Sequence, residues 1–225
     1  MNIDINKFFD KIYIITTLFA PPERTENVNK LLNICSNVQL ITALNFSCIT
    51  EDFMPTVNKH FGNGDINNTK RFLVNQMSCS TSHYNCILHA YLNNYKRILI
   101  LEDDSFINVE VWNDKDFIIP ENIDIIKLYP LRGIDDNERN IKINESFLID
   151  PDWLSPRASA YILTPKSIRM LKEIYETEYN MADLPLFFLN KNCKKYGLTY
   201  AYCCKHFIID NEQFRSTIIE NHIQK

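Results

Sequence analysis

Short apolar runs, separated by polar and proline-containing stretches, dominate the first 130 residues. Lys11-Ile12-Tyr13-Ile14-Ile15 is continuous and β-branched, the pattern of a strand covered on both faces. Pro21 and Pro22 follow, with Glu23 and Glu26 in the next turn. Proline tolerates the first turn of a helix and acids favour its positive end, so a helix is predicted to start here. Val28, Leu31, Leu32 and Cys35 recur at helical spacing and predict one apolar face. Val38 to Leu44 reads as a second strand, and strand, helix, strand at this spacing predicts a parallel βαβ unit. Residues 50 to 72 are polar and broken by Pro55, Gly62 and Gly64, which predicts loop with short helix. A helix is predicted from about Ser80 to Tyr95, with Tyr84, Ile87, Leu88, Tyr91 and Tyr95 on one face and Ser78, Ser80 or Thr81 as cap.

Arg97-Ile98-Leu99-Ile100-Leu101 is another buried strand, and it runs directly into Glu102-Asp103-Asp104. Asp124 to Tyr129 reads as the next strand, residues 130 to 150 as charged and irregular, and Ala160 to Leu163 as a short strand. Thr164 and Pro165 then open a helix as N-cap and first residue, with Ile168, Leu171 and Ile174 on its core face. Leu186 to Leu189 suits a further helix, and Leu198 to Ile209 one or two strands. The alternation predicts an α/β fold with a mainly parallel sheet, in which ligands collect at the carboxyl ends of the strands.

Composition narrows the function classes. A chain of 225 residues suits one domain with an elaborated C-terminal part, and 45% apolar with 23% charged residues is ordinary globular usage. The net charge is -4 and no basic stripe is present, which argues against nucleic acid as a partner. Lys191, Lys194 and Lys195 read as a solvated face. The seven cysteines are odd in number and lack metal-ligand spacing in sequence, and the neighbours Cys203 and Cys204 point apart in a strand. All seven are expected to be reduced, which implies a cytoplasmic protein. Met1 to Asp10 lacks a basic start followed by an apolar run, and no stretch reaches the ~20 apolar residues of a membrane span.

Candidate chemistry centres on Glu102-Asp103-Asp104. Three consecutive carboxylates repel one another, yet they sit just past an apolar strand. Hard cations such as Mg²⁺ and Mn²⁺ take one or two carboxylates plus substrate phosphates, and such an ion neutralises a diphosphate leaving group. In an extended backbone Glu102 and Asp104 share one face. Ser82 and His83 fall at the predicted start of the preceding helix, where free N–H groups attract anions. Asp183, between two apolar stretches, suits either a helix N-cap or a general base.

Taken together these segments resemble glycosyltransferase family 25, whose members build lipopolysaccharide and related glycans and include collagen galactosyltransferases. The family's opening strand and Arg-containing helix start are matched by Ile12-Tyr13-Ile14-Ile15 and Arg24. Its Gly-Cys-x-x-Ser-His segment is matched by Ser78-Cys79-Ser80-Thr81-Ser82-His83, and its Leu-Glu-Asp-Asp segment by Leu101-Glu102-Asp103-Asp104. A later Ala-Tyr-Ile pattern is echoed by Ala160-Tyr161-Ile162 with Leu171, a following Asp by Asp183, and a C-terminal Ser-x-Ile by Ser216-Thr217-Ile218. Ser78 stands where Gly is usual, and Thr16 where the family often has Asn.

The resemblance implies a GT-A type fold, with a nucleotide-sugar-binding half over about 1–130 and a variable acceptor half over about 131–225. It implies inverting transfer of a hexose, galactose or glucose, from a UDP-sugar to a hydroxyl of a glycan or glycoconjugate. Thr16, Arg24, Ser82, His83, Glu102 and Asp103 would then line the donor, with Glu102 and Asp104 on Mn²⁺ or Mg²⁺, His206 as a possible further ligand and Asp183 as general base. Two rival classes are a nucleotidyltransferase and an inactive glycan-binding module. The first usually carries a Gly- and Lys-rich phosphate loop, and Thr16 to Glu26 contains neither residue. The intact acidic triplet argues against the second. Trp153 suits a sugar-stacking or a packing role.

Overall fold

Most of the apolar runs predicted as strands are strands in the computed structural model, which describes residues 5–43, 66–114, 117–128, 141–149, 158–177, 185–186, 189, 192–203 and 208–209. Helix α1 (Ile5–Phe8) leads into strand β1 (Lys11–Thr16). Then come α2 (Pro22–Ile34), β2 (Val38–Thr42), α3 (Ile66–Leu92) and β3 (Ile98–Glu102). The short β4 (Phe106–Ile107) and α4 (Val109–Asn113) precede β5 (Ile125–Lys127). The remainder comprises β6 (Ile141–Asn144), β7 (Phe147–Ile149), β8 (Ala160–Leu163), α5 (Pro165–Thr177), α6 (Cys193–Tyr196), β9 (Tyr200–Cys203) and β10 (Ile208–Ile209).

Eight strands form one sheet in the order β2-β1-β3-β8-β5-β9-β7-β6. The predicted βαβ unit is present, with β1 parallel to β2 on one side and to β3 on the other. The expectation of a mainly parallel sheet is corrected: the sheet is mixed. Beyond β3 only β5 and β9 pair in parallel, while β8 runs antiparallel to both β3 and β5. β6 and β7 form an antiparallel hairpin inside the stretch expected to be irregular, and β7 joins it to β9.

Strand alternation divides the core in two. On one face Ile12, Ile14, Leu99 and Leu101 pack with Val28 and Leu31 of α2 and with Cys35 at its C-cap. On the other, Tyr13, Ile15, Ile98 and Ile100 pack with Cys86, Ile87 and Ala90 of α3, and with Ile168 and Leu171 of α5. Each such Ile or Leu, fully buried, contributes about 1.5–3 kcal/mol relative to exposure. Two helix faces differ from the sequence reading. Leu32 is exposed, and the buried stripe of α2 instead continues to the polar Asn27 and Arg24. On α3 the small Cys86 and Ala90 meet the sheet, while Tyr91 is turned outward. Aromatic residues dominate the sequence pattern there, but small ones let the helix approach the strands closely.

The strand order sets the position of the site. From β1 the chain crosses by α2, on one face, to β2; it returns by α3, on the other face, to β3. The connections diverge between β1 and β3. In open α/β sheets a crevice forms at such a reversal, beyond the carboxyl ends of the strands. Among the described residues, no helix is long and apolar enough to cross a membrane. The five described cysteines, Cys35, Cys79, Cys86, Cys193 and Cys203, are thiols outside any disulfide, and Lys194 and Lys195 are exposed as expected. Asp183, His206, Trp153, Lys191 and the Ser216-Thr217-Ile218 segment lie outside the described residues.

Candidate active site

The acidic triplet straddles the end of β3. Ile98 and Ile100 face α3, and Glu102 continues that parity; Leu99 and Leu101 face α2, and Asp103 continues theirs. The contacts follow. Glu102 Oε1 lies 3.1 Å from His83 Nε2 and 3.5 Å from Cys79 Sγ, both on α3. Asp103 accepts from Arg24 Nη1 of α2 at 2.9 Å and from Thr16 Oγ1 at the end of β1 at 3.0 Å. Asp104 pairs with the other arm of the same guanidinium, at 3.2 Å from Nη2.

Backbone bonds fix the turn that presents these groups. Asp103 N donates to Ile15 O at 2.9 Å and Glu102 N to Ser159 O at 2.8 Å, which extends the sheet past β3 on both sides. Ser105 N donates to Glu102 O at 2.9 Å and closes the turn. Asn27, buried in α2, donates its side-chain amide to Asp103 O at 2.9 Å and Ser105 O at 3.1 Å. Ser105 Oγ donates to Ser159 O, just before β8, at 2.6 Å.

His83 is fully buried with both ring nitrogens engaged. Nε2 faces Glu102, and Nδ1 lies 2.7 Å from Tyr161 Oη of β8. The Glu102 side chain remains 26% exposed, so this chain of contacts ends at solvent.

The three carboxyl groups occupy different environments. Burial works to raise the Glu102 pKa, but the His83 hydrogen bond and charge, with help from Cys79 and Arg24, hold it below the usual carboxylate value. Burial raises Asp103 despite Arg24 and Thr16. Asp104 is pushed up further, first by burial and then by the charge of Glu102, against the opposing pull of Arg24. One guanidinium serves two carboxylates, and the repulsion between Glu102 and Asp104 persists.

Of the residues singled out in the sequence, Thr16, Arg24, His83, Glu102, Asp103 and Asp104 converge on this point. Ser82 does not face it: its hydroxyl donates to Ser78 O at 2.8 Å, back along its own helix. The premise that Ser82 and His83 open a helix is also corrected. α3 begins at Ile66, so both sit well inside it, where backbone N–H groups are already used. Sequence reasoning gave no role to Asn27, Cys79, Ser105 or Tyr161. Asn27 and Arg24 extend the 3–4 spacing of Leu31 and Val28, while Cys79 and His83 are one helical turn apart, so both pairs were readable as shared faces. Lys127, buried on β5 and in register with Tyr161, was likewise passed over.

Cys79, His83 and Glu102 can hold a metal ion: one ligand atom from each lies within 4.8 Å of the others. The sequence had shown no metal-ligand spacing among the cysteines, because the third donor comes from a different element. Neither a protein-family model nor a curated protein matches the chain. Among solved structures, a glycosyltransferase involved in glycosylation of the major capsid of PBCV-1 aligns at 12% identity, over 85% of this chain and 81% of that one, with TM-score 0.40. Apo UDP-glucose pyrophosphorylase aligns at 9% identity, over 85% of this chain and 90% of that one, with TM-score 0.41. Similarity at this level carries no argument about activity, and none of these comparisons assigns the chain to family 25; the chemistry rests on the geometry above.

Proposed function

We propose that this chain is a glycosyltransferase that moves a hexose from a UDP-sugar to a hydroxyl of a glycan or glycoconjugate, with inversion, assisted by a divalent cation. One observation carries this reading. An acidic triplet whose mutual repulsion Arg24 and His83 offset only in part sits at the carboxyl end of β3, where the strand order reverses. A cation there would relieve that repulsion and, when bound, take charge from a departing diphosphate. Glu102 and Asp104 would be its carboxylates, with Mn²⁺ or Mg²⁺ the ions expected from the motif.

The remaining roles belong to the protein's own groups. Thr16 and Arg24 hold Asp103, and Asn27 holds the turn, so the carboxylates are fixed before the donor arrives. Such preorganisation costs nothing at the moment of reaction. Residues 1–130 would bind the donor and 131–225 the acceptor, with Asp183 taking the proton from the attacking hydroxyl.

The test is a thermal-shift panel of nucleotide sugars, each with and without Mn²⁺, Mg²⁺ and Zn²⁺. A ligand at a hundred times its Kd adds about 2.7 kcal/mol. For a chain of this size that is a rise in Tm of roughly 5–10 °C. UDP-sugars are expected to give it only with a cation, and UDP release should then require an acceptor. If no nucleotide sugar stabilises the protein with any of the three ions, the reading fails. Pyrophosphate release from a nucleoside triphosphate and a sugar 1-phosphate would identify a nucleotidyltransferase instead.

A further inference from the structure

The donors gathered at the end of β3 are not those a hard cation selects. Cys79 offers a thiol, His83 an imidazole and Glu102 a carboxylate. Mg²⁺ takes oxygen ligands and rarely a thiolate, whereas a mixed sulfur, nitrogen and oxygen set suits Zn²⁺ and its relatives. The spacing agrees. Tetrahedral zinc with ordinary bond lengths separates sulfur from oxygen by about 3.5–3.7 Å, and nitrogen from oxygen by about 3.3–3.5 Å. Here Cys79 Sγ to Glu102 Oε1 is 3.5 Å and His83 Nε2 to Glu102 Oε1 is 3.1 Å. The second needs only a few tenths of an ångström of relaxation.

Two further features fit a metal ligand. His83 Nδ1 already has a partner, Tyr161 Oη at 2.7 Å, of the kind that orients a ligating imidazole through its other nitrogen. Cys79 and His83 project from one helix, a turn apart, so their spacing is built into α3. Cys79 and Glu102 are both only partly buried, with 26% of the Glu102 side chain exposed, so a fourth position can face solvent. Three protein ligands and one open position characterise catalytic zinc sites.

We infer that Cys79, His83 and Glu102 form a site for a thiophilic divalent cation, Zn²⁺ first, with one position open to water or substrate. This deepens the reading above by setting Cys79 and His83, in place of Asp104, beside Glu102 and changing the class of ion; it depends on a cation belonging at this point, not on the reaction. On binding, the Cys79 thiol and His83 Nε2 each release a proton to solvent as the bonds from sulfur and nitrogen to the metal form. His83 supplies the Nε2 lone pair, and its Nδ1–H donates to Tyr161 Oη.

The test uses the full chain with no nucleotide sugar present, so it stands apart from the test of the reaction. Co²⁺ is titrated in and the near-ultraviolet thiolate-to-cobalt charge-transfer band recorded. The band should saturate at one equivalent, vanish on equimolar Zn²⁺ and survive a thousandfold excess of Mg²⁺. It should be lost in Cys79→Ser and kept in Cys193→Ser. In the parent protein, which avoids any folding defect of the variant, one equivalent of Zn²⁺ should slow alkylation of Cys79 by iodoacetamide at least tenfold, read by peptide mass. Absence of the band in the parent, its persistence in Cys79→Ser, its loss to Mg²⁺, or unprotected alkylation overturns the inference.

Discussion

Replacing Arg24 with Met tests whether the acidic triplet is held together as the geometry indicates. Met keeps the aliphatic stem of Arg24 in the stripe it shares with Val28 and Leu31, but removes the guanidinium from Asp103 and Asp104. Asp103 is 4% exposed, so its carboxylate loses its charge partner without gaining water. Removing one member of a buried ion pair costs about 3–5 kcal/mol. For a chain of this length that lowers Tm by roughly 6–20 °C. Asp103→Asn alone should cost about 1–3 kcal/mol, since Asp104 still pairs with Arg24 and the amide oxygen can still accept a hydrogen bond. The double variant should therefore be less damaged than the sum, with a coupling of at least about 1 kcal/mol. Urea denaturation followed by circular dichroism, with unchanged m-values, measures all three. The pH dependence has a definite sign. Asp103 is raised even with Arg24 present, and its loss raises Asp103 further. A raised folded-state pKa contributes stability at low pH that disappears as the pH rises through it. Arg24→Met should thus be closest to the parent in mild acid and furthest from it in base. A cost below about 1 kcal/mol, or additivity within about 0.5 kcal/mol, refutes the argument.

Asn27→Ala strips two buried carbonyls, Asp103 O and Ser105 O, of their donor, and should cost about 1–3 kcal/mol by thermal denaturation. Asp183→Asn should leave donor and cation binding intact while slowing transfer at least about a hundredfold, by UDP release. If Asp183 is only a helix cap, the rate stays within a few-fold, because Asn caps nearly as well. All seven cysteines should react with a thiol reagent after denaturation without prior reduction, and a smaller number would contradict the reading of all seven as reduced.

The first three core elements and the acidic triplet were legible because local pattern and tertiary role coincide. β1 and β3 are covered on both faces, so their residues are continuously apolar, and the carboxylates begin where that cover ends. The mixed sheet was not legible for the same reason. Ala160 to Leu163 is buried throughout, and a strand covered on both faces gives no sign of its direction. The start of α3 was hidden because it falls within residues 50 to 72, whose polar composition with Pro55, Gly62 and Gly64 suggests loop. β6 and β7 lie at the margin of the sheet, where Lys142 and Glu145 are exposed and apolar alternation is weak. Cys79 and Tyr161 were quoted within motifs but given no role, because the site is completed across three elements and no single segment carries its spacing.

The stripe on α2 changes character along its length, from Cys35, Leu31 and Val28 to Asn27 and Arg24. A helix advances about 100° per residue, so one residue inserted between Asn27 and Leu31 would leave the lower helix seated while swinging both polar groups about a quarter-turn away. The apolar half thus acts as an indexing key for the polar half. Only when Leu31 and Val28 are docked do Arg24 and Asn27 arrive at the triplet. The chain therefore has no route to an assembled site that bypasses the packing of α2: with α2 undocked, Glu102 would keep His83 and Asp103 would keep Thr16, but Asp103 and Asp104 would lack their guanidinium and the turn its Asn27.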